Sequence, residues 1–299
     1  MIRSKQDDAS WTPGAAEGTH PAAGTTRGTR WRSAPRGGRA GRWGRGIAGV
    51  VVFLLLGEAV GRLGIISRSV LPLESTVLAR AAGLAGNTHF LGDFGATVEA
   101  WAVSMAITVV VGVPLGVLLG SVPVVRAGTR ALVEFLRPIP SVALIPLVAL
   151  LLGAGLRMNV TLIVYAALWP VLFNTIYGLD DVDPVAKETL RAFGFGRLQV
   201  IGRVSLPSAG PFIATGLRLA SSIAIILNIS TGIITGRING NGIGAFIADA
   251  NSSGGNTPLV LAAVLWAGIL GVVLNGALVW AEHRAFRWHH AYAALDGGI

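Results

Sequence analysis

Long apolar runs separated by short polar segments make up most of the chain after residue 46. A run of about 20 mainly apolar residues forms a helix that is long enough to cross a bilayer. The chain contains six such runs, at about residues 47–66, 95–120, 132–153, 159–179, 209–235 and 257–281. The pattern therefore predicts an all-α integral membrane protein with six transmembrane helices.

The composition agrees with that prediction. Of the 299 residues, 52% are hydrophobic and 13% are charged, whereas soluble globular domains average about 25% charged residues. The chain has no cysteine, which excludes disulfides, thiolate metal sites and cysteine catalysis. Because the sequence also shows no nucleophile–base or metal-ligand pattern, we expect neither a catalytic site nor a bound metal.

The N-terminal segment, residues 1–46, is basic and contains nine of the 24 Lys and Arg residues together with many Gly, Ala, Ser, Thr and Pro residues. Such a composition buries too little apolar area to offset the entropy of ordering, so we expect a disordered arm. Tryptophans among the arginines make nucleic acid an alternative partner. The membrane helix that follows favours anionic lipid instead, and we expect no nucleic-acid binding.

The distribution of Lys and Arg predicts the topology, because these residues favour the cytoplasmic side of a membrane. On this rule the basic arm, the polar segment 180–208 and the residues after the last span are cytoplasmic. The outer segments carry less positive charge, and one of them is predicted to form a short surface helix within 72–86. Both termini are then cytoplasmic, with a transmembrane domain over 47–290 and a tail over 291–299.

The polar segment 180–208 carries the signals of two short helices. Asp183 is a good N-cap and Pro184 suits the first helical position, while Gly194 suits the left-handed residue that ends a helix. A second short helix is expected over GRLQVIGRVSLP, where apolar residues recur at every third position. The expected product is a cytoplasmic pair of amphipathic helices, and each needs a partner for its apolar side.

The sequence of this loop resembles the EAA loop of ABC importer permeases. That family pattern is Glu-Ala-Ala, three residues, Gly, nine residues, and then Ile-x-Leu-Pro. Four residues match the pattern at the same spacing, namely Glu188, Gly194, Leu206 and Pro207. The chain departs from it where Thr189, Leu190 and Val204 replace the two alanines and the isoleucine.

Other stretches extend the resemblance over residues 47–290. LRPIPSVALIPL, GLDDVDP, LPSAGPFIATGLRLA and NGIGAFI are similar to permeases of the nitrate/sulfonate/taurine importer subfamily. The resemblance implies a MetI-like type I importer fold and a homodimer in a bacterial inner membrane. It also implies two cytoplasmic ATPase subunits that hold ATP and Mg, and an extracytoplasmic substrate-binding protein. The imported solute stays open among sulfonate, taurine, nitrate, a vitamin precursor and other small molecules.

The resemblance also implies which residues of the loop contact the ATPase. The expected coupling residues are Glu188, Leu190, Arg191, Phe193, Gly194 and Pro207. Leu190 and Phe193 serve as apolar anchors, Glu188 and Arg191 pair with charges at the rim, and Gly194 permits a tight turn. The alternative is that Glu188 and Arg191 form a solvated helix face and that Phe193 packs on its own bundle.

Polar residues within the apolar runs are candidates for the translocation pathway. They are Arg137, Tyr165, Asn174, Arg218, Ser221 and Asn228. Arg218 either attracts an anionic substrate or extends toward the inner headgroups. Tyr165 and Asn174 either line a cavity or form hydrogen bonds between helices. Glu58 and Arg62, four residues apart in the first run, are expected to form a structural ion pair.

Two other functions remain alternatives. An ion-coupled secondary transporter requires intramembrane carboxylates as ion sites, and only Glu58, Glu99 and Glu134 are found near the predicted spans. A membrane-anchored scaffold acts through the basic arm. The sequence lacks the Gly-x4-Gly-Lys-Ser/Thr pattern that binds phosphates, so ATP is expected on a partner chain.

Overall fold

The computed structural model of the chain describes residues 39–63, 67, 72–236 and 241–286. Most of the predicted arm and the whole of the tail 291–299 lie outside the described residues. The chain divides into two units, Met1–Val50 and Val51–Ile299. Within the first unit, the described residues 39–50 are helical. All contacts reported below lie within the second unit.

The described residues form helices joined by short connections, with no strand among them. In chain order the helices are α1 (Arg39–Arg62), α2 (Glu74–Leu84), α3 (Thr88–Ser121), α4 (Pro123–Leu136), α5 (Ile145–Leu152), α6 (Leu156–Asp180), α7 (Pro184–Ala192), α8 (Arg197–Val200), α9 (Leu206–Thr235), α10 (Ile243–Ser252) and α11 (Thr257–Ala285). A 3-10 turn, Ser141–Leu144, precedes α5, and a π-helical turn, Ile201–Ser205, joins α8 to α9. The all-α prediction is confirmed.

Four of the described helical stretches are long and apolar enough to cross a membrane. They are α3, α6, the continuous stretch Arg197–Thr235, and α11. Helix α4 and the helical segment Ser141–Leu152 are bent by 75° at a short break, and together they would make a fifth span. Helix α1 is not among these candidates within the described residues. It begins at Arg39, eight residues before the predicted window 47–66.

The predicted third span, 132–153, differs from the structure because prolines interrupt it. Helix α4 ends at Leu136, just before Pro138 and Pro140. Proline has no N–H to donate and disfavours a helical residue before it. In an unbroken helix the carbonyl of Leu136 would accept from residue 140, which is a proline. It accepts instead from the Tyr165 hydroxyl of α6 at 2.7 Å and from the N–H of Ile139 at 3.3 Å.

Helix α6 packs between α3 and α9 at the centre of the second unit. Glycines allow the backbones of these helices to approach closely. A Cβ placed on Gly116 of α3 would lie 2.6 Å from Cβ of Thr175 on α6. A Cβ on Gly216 of α9 would lie 2.9 Å from the carbonyl oxygen of Pro170 on α6. Apolar side chains gain little by leaving lipid for a protein interior, so close backbone packing at small residues holds such helices together.

A second apolar cluster joins α2, α10, α11 and the start of α3. Its largest members include Phe90, Ile243 and Trp266. The Trp266 indole N–H donates to the carbonyl oxygen of Ala81 at 2.9 Å, so α11 holds α2 in place. Helix α2 lies within the surface-helix segment predicted over 72–86.

The N-terminus of α2 is bonded to the end of α1 by the Glu58 carboxylate. It accepts from the N–H of Ser75 at 3.1 Å and from the Ser75 hydroxyl. It also pairs with Arg62 at 2.9 Å. The predicted Glu58–Arg62 ion pair is therefore confirmed, and it forms part of a cap. Hydrogen bonds to the carboxylate stabilise its charged form, and the N-terminus of a helix attracts negative charge.

Replacing Gly116 with alanine tests the close packing of α3 on α6. We expect Gly116→Ala to lower the thermal stability of the purified protein, because overpacking costs about 1–3 kcal/mol. The matched control is Gly276→Ala on α11, where a Cβ would meet no atom within 4 Å. There the better helix propensity of alanine should leave the melting temperature unchanged or raise it. Equal melting temperatures for the two variants would contradict the packing argument.

Candidate functional site

Helix α7 forms where the sequence predicts the first loop helix, and its start is capped as predicted. The Asp183 side chain accepts from the N–H of Val185 at 2.8 Å, and Pro184 occupies the first helical position. An N-cap of this kind contributes about 1 kcal/mol to helix stability. Both predicted N-terminal signals are confirmed.

The end of α7 explains the need for glycine at position 194. Gly194 has φ +83°, and its N–H donates to the carbonyl of Arg191 at 2.9 Å. The N–H of Phe195 donates to the carbonyl of Leu190 at 3.1 Å. These two bonds form a Schellman motif, which satisfies carbonyls left free at a helix end. A Cβ on Gly194 would meet no atom within 4 Å, so the requirement is conformational.

The second predicted loop helix is not a separate element. Helix α8, the π-helical turn and α9 form one continuous stretch over Arg197–Thr235. In the π-helical turn the N–H of Leu206 reaches the carbonyl of Ile201. Pro207 follows at once and has no N–H to continue a regular pattern. The wider turn therefore absorbs the irregularity, and the predicted break between loop and span does not occur.

Helix α7 turns its basic side toward the bundle and an apolar side away from it. The Lys187 ammonium donates to the carbonyl oxygen of Leu179 at the end of α6, at 3.0 Å. Arg191 lies one turn further along the same side of α7. Val185 is 66% exposed and Phe193 is 79% exposed, and at about 100° per residue Val185 projects roughly opposite Lys187.

The predicted coupling residues are distributed over both sides of this helix. Glu188, Phe193, Gly194 and Pro207 are exposed, whereas Leu190 is half-buried. Arg191 is exposed but stands on the side that faces the bundle. Val185 lies on the apolar side that the sequence predicts for this helix, but it is not among the predicted coupling residues. Periodicity shows that a helix has two sides and does not show which one faces the bundle.

Two predicted pathway residues lie buried between α3 and α9 in this protomer. The indole N–H of Trp101 donates to the Ser221 hydroxyl at 3.0 Å, and the Asn228 amide donates to the carbonyl of Thr97 at 3.0 Å. Ser221 and Asn228 are both buried. A buried polar group is costly without a partner, so these bonds stabilise the contact between α3 and α9. The pathway role of both residues stays a prediction.

The other predicted residues near α6 also have partners within the protomer. Tyr165 donates to Leu136 as described above, and the Asn174 amide donates to the carbonyl of Pro170 at 2.8 Å. The Arg137 guanidinium lies over the Phe173 ring, 4.7 Å from its centroid. Tyr165 and Phe173 belong to a row of aromatic rings along α6 that continues through Trp169 to Tyr177.

Arg218 forms an ion pair that sequence reasoning missed. Its Nε lies 3.2 Å from Oε2 of Glu282 on α11, and its Nη2 donates to the Thr215 hydroxyl at 3.3 Å. The Arg218 and Glu282 side chains are 35% and 17% exposed. The available signal was a carboxylate directly after the last apolar run, opposite an arginine in the preceding one. The pair balances the Arg218 charge inside the protomer.

The described residues contain no group of three or more His, Cys, Asp or Glu side chains that could hold a metal ion. The described residues form a bundle of apolar helices and a polar loop, and the first helix of this loop, α7, leaves apolar side chains exposed.

Comparison with known proteins assigns this architecture to a family. Residues 112–287 match the family described as "Binding-protein-dependent transport system inner membrane component". The matched segment runs from the last third of α3 past the end of α11 and includes the whole loop. The chain belongs to this family.

Individual relatives of this permease are also transport permease proteins. It is 27% identical over 252 residues to the putative aliphatic sulfonates transport permease protein SsuC of Bacillus subtilis (strain 168), covering 84% of this chain and 89% of the relative. It is 27% identical over 248 residues to the taurine transport system permease protein TauC of Escherichia coli (strain K12), covering 81% and 89%. These matches confirm the subfamily resemblance.

A solved structure shows the same fold. The inward-facing MetNI methionine ABC transporter contains a chain that superposes with a TM-score of 0.57 at 21% identity, covering 66% of this chain and 96% of that one. The permease is therefore a multi-pass inner-membrane subunit of an ABC importer with a MetI-like fold. It is a non-catalytic transport component, as members of this family are.

Charge reversal distinguishes a structural Arg218 from one that binds substrate. We expect Arg218→Glu to lower the melting temperature, because two carboxylates then face each other; the cost is about 1–3 kcal/mol, below that of a fully buried pair. The double variant Arg218→Glu/Glu282→Arg should recover most of the stability and the uptake of solute. Recovery of stability without uptake would show that Arg218 contacts the solute.

Proposed function

We propose that the outward side of α7 docks into the ATPase subunit of the importer. The observation that carries this proposal is the exposure of Val185 and Phe193, 66% and 79%, on a helix whose other side is bonded to the bundle. Large apolar side chains that a protomer leaves exposed outside the bilayer mark interaction sites. Aromatic and aliphatic anchors of this kind dominate contact energies at interfaces.

The attachment of α7 makes it suitable for passing on a motion. Its basic side is hydrogen-bonded to the end of α6 through Lys187 and Leu179. Its C-terminus continues through Gly194 and Phe195 into the continuous helix that contains α9. A displacement of α7 by the ATPase is therefore delivered to two spans that pack on each other. ATP and Mg act on the ATPase, and the permease converts its motion into a rigid-body change of the bundle.

We propose six spans with both termini in the cytoplasm. Helix α1 supplies the first, the bent pair of α4 and Ser141–Leu152 supplies the third, and the four long apolar stretches supply the others. The support is the charge of the loop between α6 and α9, which holds Lys187, Arg191, Arg197 and Arg203. Arg126 of α4 pairs with Asp180 at the end of α6 at 3.1 Å, so these two helix ends lie together, which supports the proposed topology.

We propose that the importer contains two copies of this permease and carries a small solute with a negatively charged oxyanion group. The support for this solute class is the naming of the reported relatives, which concern aliphatic sulfonates and taurine. The predicted pathway cation Arg218 is paired within the protomer. Selection of the solute therefore belongs mainly to the extracytoplasmic binding protein, and the permease provides a conduit that opens and closes.

Truncation of the two exposed apolar side chains tests docking. We expect Phe193→Ala to weaken retention of the ATPase by about tenfold or more, since loss of an interface anchor costs about 2 kcal/mol. Val185→Ala should weaken it by a smaller factor, because fewer methyl groups are lost. Retention is measured by co-purification of the tagged permease with its ATPase.

The matched control for this experiment is Val124→Ala on α4. Val124 is 82% exposed, more than Val185, and lies outside α7, so its truncation should leave retention unchanged. Full retention by Phe193→Ala, or an equal loss in the control, would argue against docking through α7.

Uptake measurements test the proposed solute. Cells that produce the permease with its ATPase and binding protein should take up at least one of labelled taurine, an alkanesulfonate and nitrate, and cells that lack the permease should lose that uptake. The matched negative probe is a solute of similar size without any charged group. If removal of the permease changes the uptake of that probe and of none of the three oxyanion-bearing solutes, the assignment of the solute class is wrong.

A further inference from the structure

A groove separates the inward side of α7 from the ends of the long helices. It has a volume of about 610 Å³. Its walls come from the end of α3, the end of α6, the bundle-facing side of α7, and the stretch from Phe195 to Ser205. Three candidate spans end or begin here, so the groove lies where the apolar part of the bundle meets water.

The groove is lined by cations with no carboxylate among them. Lys187, Arg191 and Arg197 all contribute to its walls. Within the part of the chain that the structure describes, none of the three forms an ion pair. Lys187 uses one of its three N–H donors on the carbonyl of Leu179. Most of the donors of this cluster are therefore available to a ligand.

A hydroxyl also lines the groove. Ser205 is only 5% exposed, and no hydrogen bond to its side chain occurs among the described residues. Its Oγ is not one of the fully enclosed polar atoms, so the hydroxyl keeps access to the groove and can donate to a ligand there. Ser205 also ends the π-helical turn, a distortion that is frequent at functional sites.

We propose that this groove binds a phosphate group. Three convergent cations and a hydroxyl supply charge and hydrogen-bond donors to several oxygens at once, as phosphate requires. Basic pockets between transmembrane helices at the cytoplasmic side are suited to anionic lipid headgroups. The phosphate therefore comes either from an anionic lipid or from a small soluble phosphate, and the groove has the chemistry for both.

The proposed site is separate from the docking side of α7. Lys187 and Arg191 face the groove, whereas Val185 and Phe193 lie on the other side of the helix. A bound phosphate would cross-link α7 to α8 and the ends of α3 and α6, so its occupancy would stiffen the connection between loop and spans. The inference does not rest on docking, and it is tested on the permease alone.

The experiment is a ligand titration of the full-length permease in a neutral detergent, read as the shift in melting temperature. The probes are dihexanoyl phosphatidylglycerol, dihexanoyl phosphatidylcholine and inorganic phosphate. Ligands that bind only the folded state raise the melting temperature in a saturable way. A saturable rise with phosphatidylglycerol alone identifies a lipid site, and a rise with inorganic phosphate identifies a soluble phosphate site. No saturable rise with either overturns the proposal.

Variants locate the binding. Lys187→Gln and Arg197→Gln should each raise the half-saturating concentration about fivefold, because each surface cation contributes about 1 kcal/mol to such binding. Arg197→Lys keeps the charge and should stay within about twofold of the wild type. Arg130→Gln removes a cation from α4 outside the groove and should change nothing. An equal loss in Arg130→Gln would show non-specific attraction and would overturn the proposed site.

Ser205→Ala provides a variant without any change of charge. It should weaken binding while its melting temperature in the absence of ligand stays close to that of the wild type, since no bond within the described chain is lost. Unchanged affinity in Ser205→Ala together with unchanged affinity in Arg197→Gln would place the phosphate elsewhere and contradict the inference.

Discussion

Backbone contact between α6 and its neighbours α3 and α9 is the constraint from which the rest of the bundle follows. In lipid, apolar side chains gain little by leaving the solvent, so cohesion depends on close packing and on hydrogen bonds between helices. Gly116 and Gly216 bring their helices against α6 at distances that no side chain would permit. With these three helices in place, the buried polar groups Ser221 and Asn228 of α9 form their hydrogen bonds with residues of α3.

The packing of α6 also determines what the loop can transmit. The end of α6 holds Lys187 of α7 and pairs with Arg126 of α4, so the loop is attached to a helix that contacts two others along its length. The other end of the loop has no flexible joint, because α8 continues through a π-helical turn into α9. On the docking proposed above, a push on α7 would reach α6 and α9 as a pair, and the glycine contact between them would oppose sliding. Coupling of this kind requires stiffness, and the sequence supplies it through a capped helix and a glycine turn.

The sequence predicts those parts of the fold that local signals determine. The long apolar runs locate α6, α9 and α11 to within four residues, and Asp183 and Gly194 locate both ends of α7. The run at 95–120 locates the end of α3 but misses its first seven residues, which lie in the polar segment before it. Sequence reasoning fails where the outcome depends on contacts between distant segments. Pro138 and Pro140 signal a kink. The 75° bend also involves a distant residue, because the Tyr165 hydroxyl donates to the carbonyl of Leu136 at the bend. Likewise, the helical periodicity of α7 shows a basic and an apolar side. The basic side faces the bundle because Lys187 donates to the carbonyl of Leu179 at the end of α6, a contact that the periodicity does not show.

The environment of the polar residues in the spans also depends on contacts between distant segments. These contacts bear on how the solute is selected. A lone Arg218 in an apolar run indicates that the side chain either binds an anionic ligand or extends to the lipid headgroups, because a charge there is costly without a partner. The partner is Glu282, on a helix 64 residues further along the chain (282 − 218), and the pair balances its own charge. Ser221, Asn228 and Tyr165 are likewise engaged by neighbouring helices. A protomer whose polar groups are engaged with one another offers a moving solute few fixed charges to bind, and weak binding along a path favours release over retention. This agrees with the proposal that a separate protein selects the solute, and it leaves the polar groups of the permease bonded to neighbouring helices.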